Sequence, residues 1–199
     1  DRIIRPFTII GLDLIKNIPA PPHTEDWLAK EGYLKTIGEV ERKQQHSFLQ
    51  SILDENVERI FGASILHQEQ EGYYIKTGEG NRSLGTVKAH RVSHFSNKCY
   101  GGKRDYRITF ADDSQNWYRL KIVDLSFQTH IDHLRENIGN PEEVSKVINN
   151  IFSNCESFLR IGLARGWGDH PNRCYLQITG VYTFPDYLCG KCFADYIHP

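Results

Sequence analysis

The chain has 199 residues, of which 39% are hydrophobic and 12% aromatic, and its 24 Lys and Arg nearly balance its 25 Asp and Glu. This composition excludes a disordered or collagen-like chain. Its apolar runs are far shorter than the roughly 20 residues that cross a membrane, so we expect a soluble protein without a membrane partner. With a net charge of -1, an anionic ligand would have to be met by a local basic patch.

Two features of the sequence bear on its context. The chain begins at Asp1 and contains no methionine, so we expect its N-terminus to be incomplete. Its five cysteines are an odd number and do not form a disulfide framework. Such cysteine usage is typical of a reducing compartment, and we predict a cytoplasmic protein.

The first third of the chain mixes strand and helix patterns. Residues 2–12 are rich in β-branched residues and predict a strand, which Pro6 would place at a sheet edge. The prolines at 19–22 interrupt this pattern, and Thr24 is placed to cap a short helical turn. Apolar residues then recur at helical spacing from Ser47 to Phe61, which predicts the first of two moderate helices.

Strands dominate the middle of the chain. Four are predicted, over Tyr73–Lys76, Leu84–Phe95, Tyr106–Phe110 and Trp117–Val123. The last two are joined by the polar segment 111–116, which predicts a hairpin loop.

The last third begins with the second helix. Asn140 and Pro141 form a favourable N-cap and first helical position, ahead of an apolar stripe. Two strands follow, over Phe158–Ala164 and Cys174–Phe184. Alternation in the second predicts one shared face for Cys174, Leu176, Ile178, Gly180, Tyr182 and Phe184. Together these elements predict a strand-rich α+β fold with barrel-like units that divide near residue 100.

A local basic segment runs from Arg82 to Arg107, where Asp105 is the single acidic residue. Cations neutralise phosphates and flat rings stack on unpaired bases, so this composition is typical of a nucleic-acid surface. The alternative is a solvated strand face whose aromatic rings pack inward. The predicted contacts in this segment are Lys88, Arg91, Lys103, Arg104, Tyr106 and Arg107.

Later strands and loops extend the candidate surface. Arg119, Lys121, Arg160 and Arg165 are predicted to contact phosphates, and Trp117 and Trp167 to stack on bases, as is Tyr106. The structural alternative for Trp167, which lies between two glycines, is a plug at a barrel end.

Cys189 and Cys192 form a CxxC knuckle, the spacing at which two thiolates can share one zinc ion. A structural zinc site needs four ligands, and no recognised finger spacing supplies the other two. The remaining candidates are His170, Cys174 and His198. Two ordinary thiols are the default interpretation, so no cofactor is predicted, and zinc is the candidate metal for this pair.

Enzymatic motifs are few. His23, Glu25 and Asp26 would suit a metal-dependent nuclease or hydrolase, although carboxylates at this position also cap helical turns. The pair His130 and His133 is interpreted as part of a solvated turn. The sequence contains no P-loop, GxSxG or HExxH motif, which favours a protein without catalytic activity.

Several stretches together resemble the dual OB-fold domain family of prokaryotes. FLRIGLARGW at 158–167 and CYLQITGVYTFPDYL at 174–188 resemble its closing strands, "LRLGLTRPW" and "LQVNGIYTFPDYL". IRP at 4–6 and YRLKIVD at 118–124 resemble its "WIRPV" and "YRLxVTD" elements. Gly166 replaces the usual Pro, and Val123 the usual Thr.

The resemblance implies two tandem OB-like barrels, which we assign to residues 1–100 and 101–199. Members of the family are thought to bind nucleic acid, often in defence or mobile-element contexts, and no catalytic residues carry over. We therefore predict a non-catalytic protein that binds single-stranded DNA or RNA within a prokaryotic defence or mobile-element system. The alternatives are a metal-dependent nuclease or hydrolase and a protein-interaction module of a larger defence complex.

Overall fold

The computed structural model describes residues 4–69, 72–101 and 103–197, in which strands outnumber helices two to one. The strands are β1 (Thr8–Asn17), β2 (Trp27–Glu39), β3 (Leu66–Gln68), β4 (Gly72–Lys76), β5 (Leu84–Ala89), β6 (Arg91–Tyr100), β7 (Lys103–Ala111), β8 (Trp117–Ile122), β9 (Glu156–Leu163) and β10 (Arg173–Phe184). The helices are α1 (Arg42–Ser51), α2 (Val57–Ile60), α3 (Leu125–Ile138), α4 (Pro141–Asn154) and α5 (Ala194–Ile197). The predicted strand-rich α+β class is confirmed.

The strands β5 to β10 form one circuit of pairings. The antiparallel pairs are β5–β9, β9–β10, β8–β7 and β7–β6, and β10 pairs with β8 in parallel. A single residue, His90, separates β5 from β6, so these two act as one long bent strand that closes the circuit. A five-stranded, partly open barrel with this order and with helices inserted before its fourth strand is an OB fold.

The barrel core is built from the alternating inward side chains of these strands. Phe95, Ile108, Phe110, Ile122, Ile161 and Ile178 are fully buried. Helices α3 and α4 close one side, and α4 also covers the free edge of β6, because the Asn149 side chain accepts a hydrogen bond from the Phe95 backbone N–H at 2.8 Å. As predicted, Asn140 caps α4, with its side chain accepting from the Glu142 N–H.

The alternation predicted for β10 holds only in its first half. A register shift opposite β9 falls between Ile178 and Gly180. A shift of this kind moves the following side chains to the other face of the sheet. Val181 and Thr183 are therefore buried, whereas Tyr182 and Phe184, predicted to face the core, are only partly buried.

The predicted helix over Ser47–Phe61 is two shorter helices, α1 and α2. The chain leaves the helix because Asp54 bonds to β5 instead: its N–H donates to the Thr86 carbonyl, and its carboxylate accepts from the Thr86 N–H. Asn56 then caps α2 by accepting from the Arg59 N–H.

Helix α3 was not predicted, and the histidines assigned to a solvated turn lie within it. It begins at the Asp124 cap, whose carboxylate accepts from the N–H groups of Ser126 and Phe127, and it ends at Gly139, which has φ of 75°. Its apolar side is narrow, with Phe127 and Ile131 buried. Helix α3 is thus a long helix in addition to the two that the sequence predicts.

Strands β1 and β2 form a separate two-stranded ribbon. The predicted strand over 2–12 thus begins after Pro6 and extends to Asn17, and β2 was not predicted. Thr24 lies in the connection between the two strands, and its hydroxyl donates to the Asn81 carbonyl rather than capping a helix. This connection and the opposite end of the ribbon both contact the barrel.

The predicted boundary at residue 100 falls within the β6–β7 hairpin. The barrel begins before this boundary, at β5. Ahead of it, β3 and β4 extend the sheet through an antiparallel pairing of β4 with β10. The division into units 1–100 and 101–199 stays a prediction. No helix in the described stretches has the length and apolar character required to cross a membrane.

Candidate functional site

A groove of about 380 Å³ lies on the outward face of β7, β8 and β10. The strand register places Arg107 opposite Lys121 and Gln177 beside Lys121, so the three form one row across the sheet. Arg119 lies two residues before Lys121 on the same face. The loop between β9 and β10 adds Trp167 at the border of the groove.

The groove carries an excess of positive charge. Arg107 is bound by Asp105, with Nε 2.7 Å from Oδ2. Arg119 makes one long hydrogen bond to the Ser96 hydroxyl at 3.4 Å. Among the described residues, no carboxylate pairs with Arg119 or Lys121. Both cations are therefore available to an anionic ligand. The groove lining also includes one acidic residue, Asp169, in the same loop as Trp167.

Aromatic side chains border the same groove. Trp167 is 70% exposed and sits on a tight turn that is closed by a hydrogen bond from the His170 N–H to the Trp167 carbonyl. Gly168 in this turn has φ of 53°, a backbone conformation that favours glycine. Tyr175 projects from β10, with the His170 ring edge-on to it. The indole is held outward, with most of its surface in contact with water.

The prediction that Tyr106 stacks on bases is wrong. Its ring is 2% exposed because it faces the core in phase with Ile108, and its hydroxyl donates to the Asp132 carboxylate. Burial, together with that carboxylate, raises the pKa of the Tyr106 phenol to about 12. Asp132 also binds Arg104, which leaves that cation neutralised.

Other predicted contacts lie outside the groove. Lys88 pairs with Glu156 at 2.7 Å, and exposed Arg91 borders a different depression beside it. Arg165 pairs with Asp26 at the end of the ribbon. Trp117 is half exposed and lines a neighbouring depression. Arg160 lines a different groove. Lys103 begins β7, but its side chain lies outside the described part of the chain.

The three residues considered for an enzymatic site have structural partners. The buried His23 ring lies 3.2 Å from the Leu163 carbonyl, and Glu25 accepts from the N–H and hydroxyl of Ser83. Burial of the Glu25 carboxyl acts to raise its pKa, but these hydrogen bonds outweigh that effect, so the pKa of Glu25 is lowered. With Asp26 paired to Arg165, the three side chains fasten the ribbon to the barrel.

The two cysteines of the CxxC knuckle lie in different environments. Cys189 is exposed and Cys192 is buried. Of the other proposed ligands, His198 lies outside the described residues. Within the described stretches, no three His, Cys, Asp or Glu side chains are grouped as metal ligands would be.

Tyr175 and Gln177 were not among the predicted site residues. The signal for them is the alternation of β10, which places both on the face opposite the buried Cys174 and Leu176. Of the residues that the sequence predicts to contact nucleic acid, Arg107, Arg119, Lys121 and Trp167 line this one groove.

The groove lies on the second and third strands of the barrel and is bordered by the loop before the fifth. OB folds bind oligonucleotides and oligosaccharides with this face. The strand order of the barrel and the position of the groove therefore identify an OB-fold protein. A family model described as "Dual OB-containing domain" matches residues 1–181, and the chain belongs to this family. Comparison with curated proteins and with solved structures gave no match.

Proposed function

We propose that this protein binds single-stranded DNA or RNA, without catalysing a reaction, in the groove on β7, β8 and β10. The observation that carries the proposal is the position of two unpaired cations, Arg119 and Lys121, beside the exposed ring of Trp167. Cations of this kind neutralise phosphates, and an exposed indole offers a stacking platform for a base. The balanced net charge does not oppose this binding, because the charge excess is local.

A single strand fits the groove better than a duplex. Stacking on Trp167 requires a base with a free face, and the bases of a duplex are already stacked on one another. Gln177 lies beside Lys121, where its amide can donate to and accept from the edge of an unpaired base.

Not every predicted cation contributes equally to this proposal. Lys88, Arg104 and Arg165 each have a carboxylate partner, so binding a phosphate would require an existing ion pair to open. Arg119 and Lys121 carry no such cost. We therefore assign most of the electrostatic attraction to these two side chains.

The cellular setting is part of the same proposal. All five cysteines are free thiols, which fits a reducing cytoplasm. The family resemblance supports a role in a prokaryotic defence or mobile-element system, with other subunits of a defence complex as partners.

Replacing Arg119 and Lys121 together with glutamine is expected to weaken single-strand binding severalfold and to reduce the slope of log affinity against log salt by about 1 to 2, since each phosphate contact releases about one counterion. Fluorescence anisotropy with a labelled oligonucleotide at several salt concentrations measures both. Lys146→Gln, on the exposed side of α4, is the matched control and should behave as wild type. Equal affinities and equal salt slopes for the double variant and the wild type would contradict the assignment.

A further inference from the structure

A second and larger groove, of about 730 Å³, lies elsewhere on the barrel. It is bounded by the start of β1, by α1 and by the outward sides of β5 and β9, and it shares no lining residue with the first groove. The ribbon that forms one border is fixed at both ends. Near the groove, the Phe7 ring packs on Tyr182 with centroids 5.3 Å apart, and at the far end Asp26 pairs with Arg165. The ribbon therefore contacts the barrel at both of its ends, and the groove lies beside one of these contacts.

The walls of this groove are mainly apolar and open to water. Ile9, Phe48, Ile52 and Leu84 each expose between 41% and 45% of their surface around it. These side chains come from three separate elements and converge on one groove. A ligand with an apolar body would remove this surface from water, which is the usual source of affinity in such sites.

One unmatched charge stands in the apolar groove. The partly buried Arg160 donates from Nε to the Thr179 hydroxyl at 3.2 Å and from Nη2 to the Thr179 carbonyl at 2.9 Å. Three of its five N–H groups remain, and no carboxylate of the described chain lies within ion-pair distance. A partly desolvated cation that makes no ion pair is unfavourable, so the site favours an anion.

The other charges nearby are already satisfied. Asp54 and Arg82 pair with each other, and the Asp54 carboxylate also accepts from the Thr86 N–H. Burial raises the pKa of Asp124, against smaller opposing effects of its backbone hydrogen bonds and of the nearby Arg160, and its carboxylate already accepts from backbone N–H groups. Of the two cations that line the groove, Arg160 is thus the one that makes no ion pair with a described residue.

We propose that this groove binds a small amphipathic anion. Its apolar body lies against Ile9, Phe48, Ile52 and Leu84, and its carboxylate or phosphate is held by the free N–H groups of Arg160. Nucleic acid fits this groove poorly. Arg82 is already paired, and one remaining cation cannot contact the successive phosphates of a nucleic-acid backbone.

Two dyes with similar apolar bodies test the proposal. The probes are 8-anilinonaphthalene-1-sulfonate, which carries an anionic group, and N-phenyl-1-naphthylamine, which does not. Arg160→Gln is expected to weaken binding of the anionic dye on the order of tenfold, as the loss of a charge-assisted hydrogen bond would, and to leave the neutral dye unaffected. Lys146→Gln should change neither. An unchanged affinity of Arg160→Gln for the anionic dye, or no binding of that dye by the wild type, would overturn the proposal.

A second variant keeps the test decisive if Arg160→Gln fails to fold. Phe48→Ser alters a half-exposed side chain of α1 and should weaken both dyes, whereas Leu125→Ser, an exposed apolar residue of α3, should weaken neither. Equal dye binding by Phe48→Ser and Leu125→Ser would overturn the site. Competition with decanoate, decyl phosphate and decanol then identifies the head group: displacement by either anion but not by the alcohol supports the proposal, and equal displacement by the alcohol contradicts it.

Discussion

Replacing Asp124 with alanine is expected to lower the free energy of unfolding by about 3 kcal/mol. Its carboxylate accepts three backbone hydrogen bonds: from Ser126 and Phe127 at the start of α3, and from Val181 on β10 at 2.8 Å. The substitution removes a helix cap and leaves the Val181 N–H inside the barrel without a partner. For a chain of this length the melting temperature should fall by roughly 6–12 °C, measurable by circular dichroism.

A matched control is available in the next helix. Asn140 caps α4 but accepts a single hydrogen bond, from the Glu142 N–H, at an exposed position. Asn140→Ala should therefore cost only about 1 kcal/mol. If Asp124→Ala is no more destabilising than Asn140→Ala, the carboxylate does not link α3 to β10 in the way the structure indicates.

Lowering the pH from 6.5 to 4 should destabilise the protein through His130, by on the order of 2 kcal/mol. Burial, with smaller contributions from His133 and Lys191, lowers the pKa of His130 to about 4, against an ordinary value of 6.5. In this interval the unfolded chain binds a proton that the folded protein does not, so stability falls as the pH falls. Well above pH 6.5, where His130 is neutral in both the folded and the unfolded chain, its contribution no longer changes with pH.

The effect of His130 is isolated by comparing variants. Urea unfolding of the wild type and of His130→Gln at pH 7 and pH 4 measures the change in stability for each. His130→Gln loses the contact between Nδ1 and the Tyr196 hydroxyl at both pH values, but it should lose less stability on acidification. His90→Gln, at an exposed position, should retain the acid sensitivity of the wild type. Identical acid sensitivity of His130→Gln and the wild type would contradict the assigned pKa.

Much of the barrel follows from local patterns in the sequence. Strands β7 and β8 and the first half of β10 alternate with a period of two, because one face packs on the core and the other meets water. The capped start of α4 is equally local, since Asn140 and Pro141 set it without distant contacts.

Other elements depend on interactions that local patterns do not contain. Strand β2 is exposed along nearly its whole length, so it has no buried face to produce alternation, and it is defined by its pairing with β1. Helix α3 buries too narrow a stripe to give a strong helical period. Its termini nevertheless carry signals, with Asp124 at the cap and Gly139 at the end.

The residues of the candidate site likewise differ in how far local sequence patterns predict their roles. Arg119 and Lys121 were predictable because they alternate with buried residues on one strand. The carboxylates that neutralise Arg104, Arg165 and Lys88 lie 28, 139 and 68 residues away in sequence, so only the fold reveals which cations remain free. For Tyr106 the sequence did hold the answer, because its alternation with Ile108 and Phe110 places its ring inward.

The most direct test of the proposed function is anisotropy titration of the wild type, Trp167→Ala and Trp117→Ala with labelled single-stranded DNA, single-stranded RNA and duplex DNA. We expect the wild type to bind a single strand more tightly than the duplex, and Trp167→Ala to lose about 1–3 kcal/mol of that binding. Trp117, in the neighbouring depression, should contribute less. If the wild type binds none of the three, or if Trp167→Ala binds as tightly as the wild type, the groove on β7, β8 and β10 is not a nucleic-acid site.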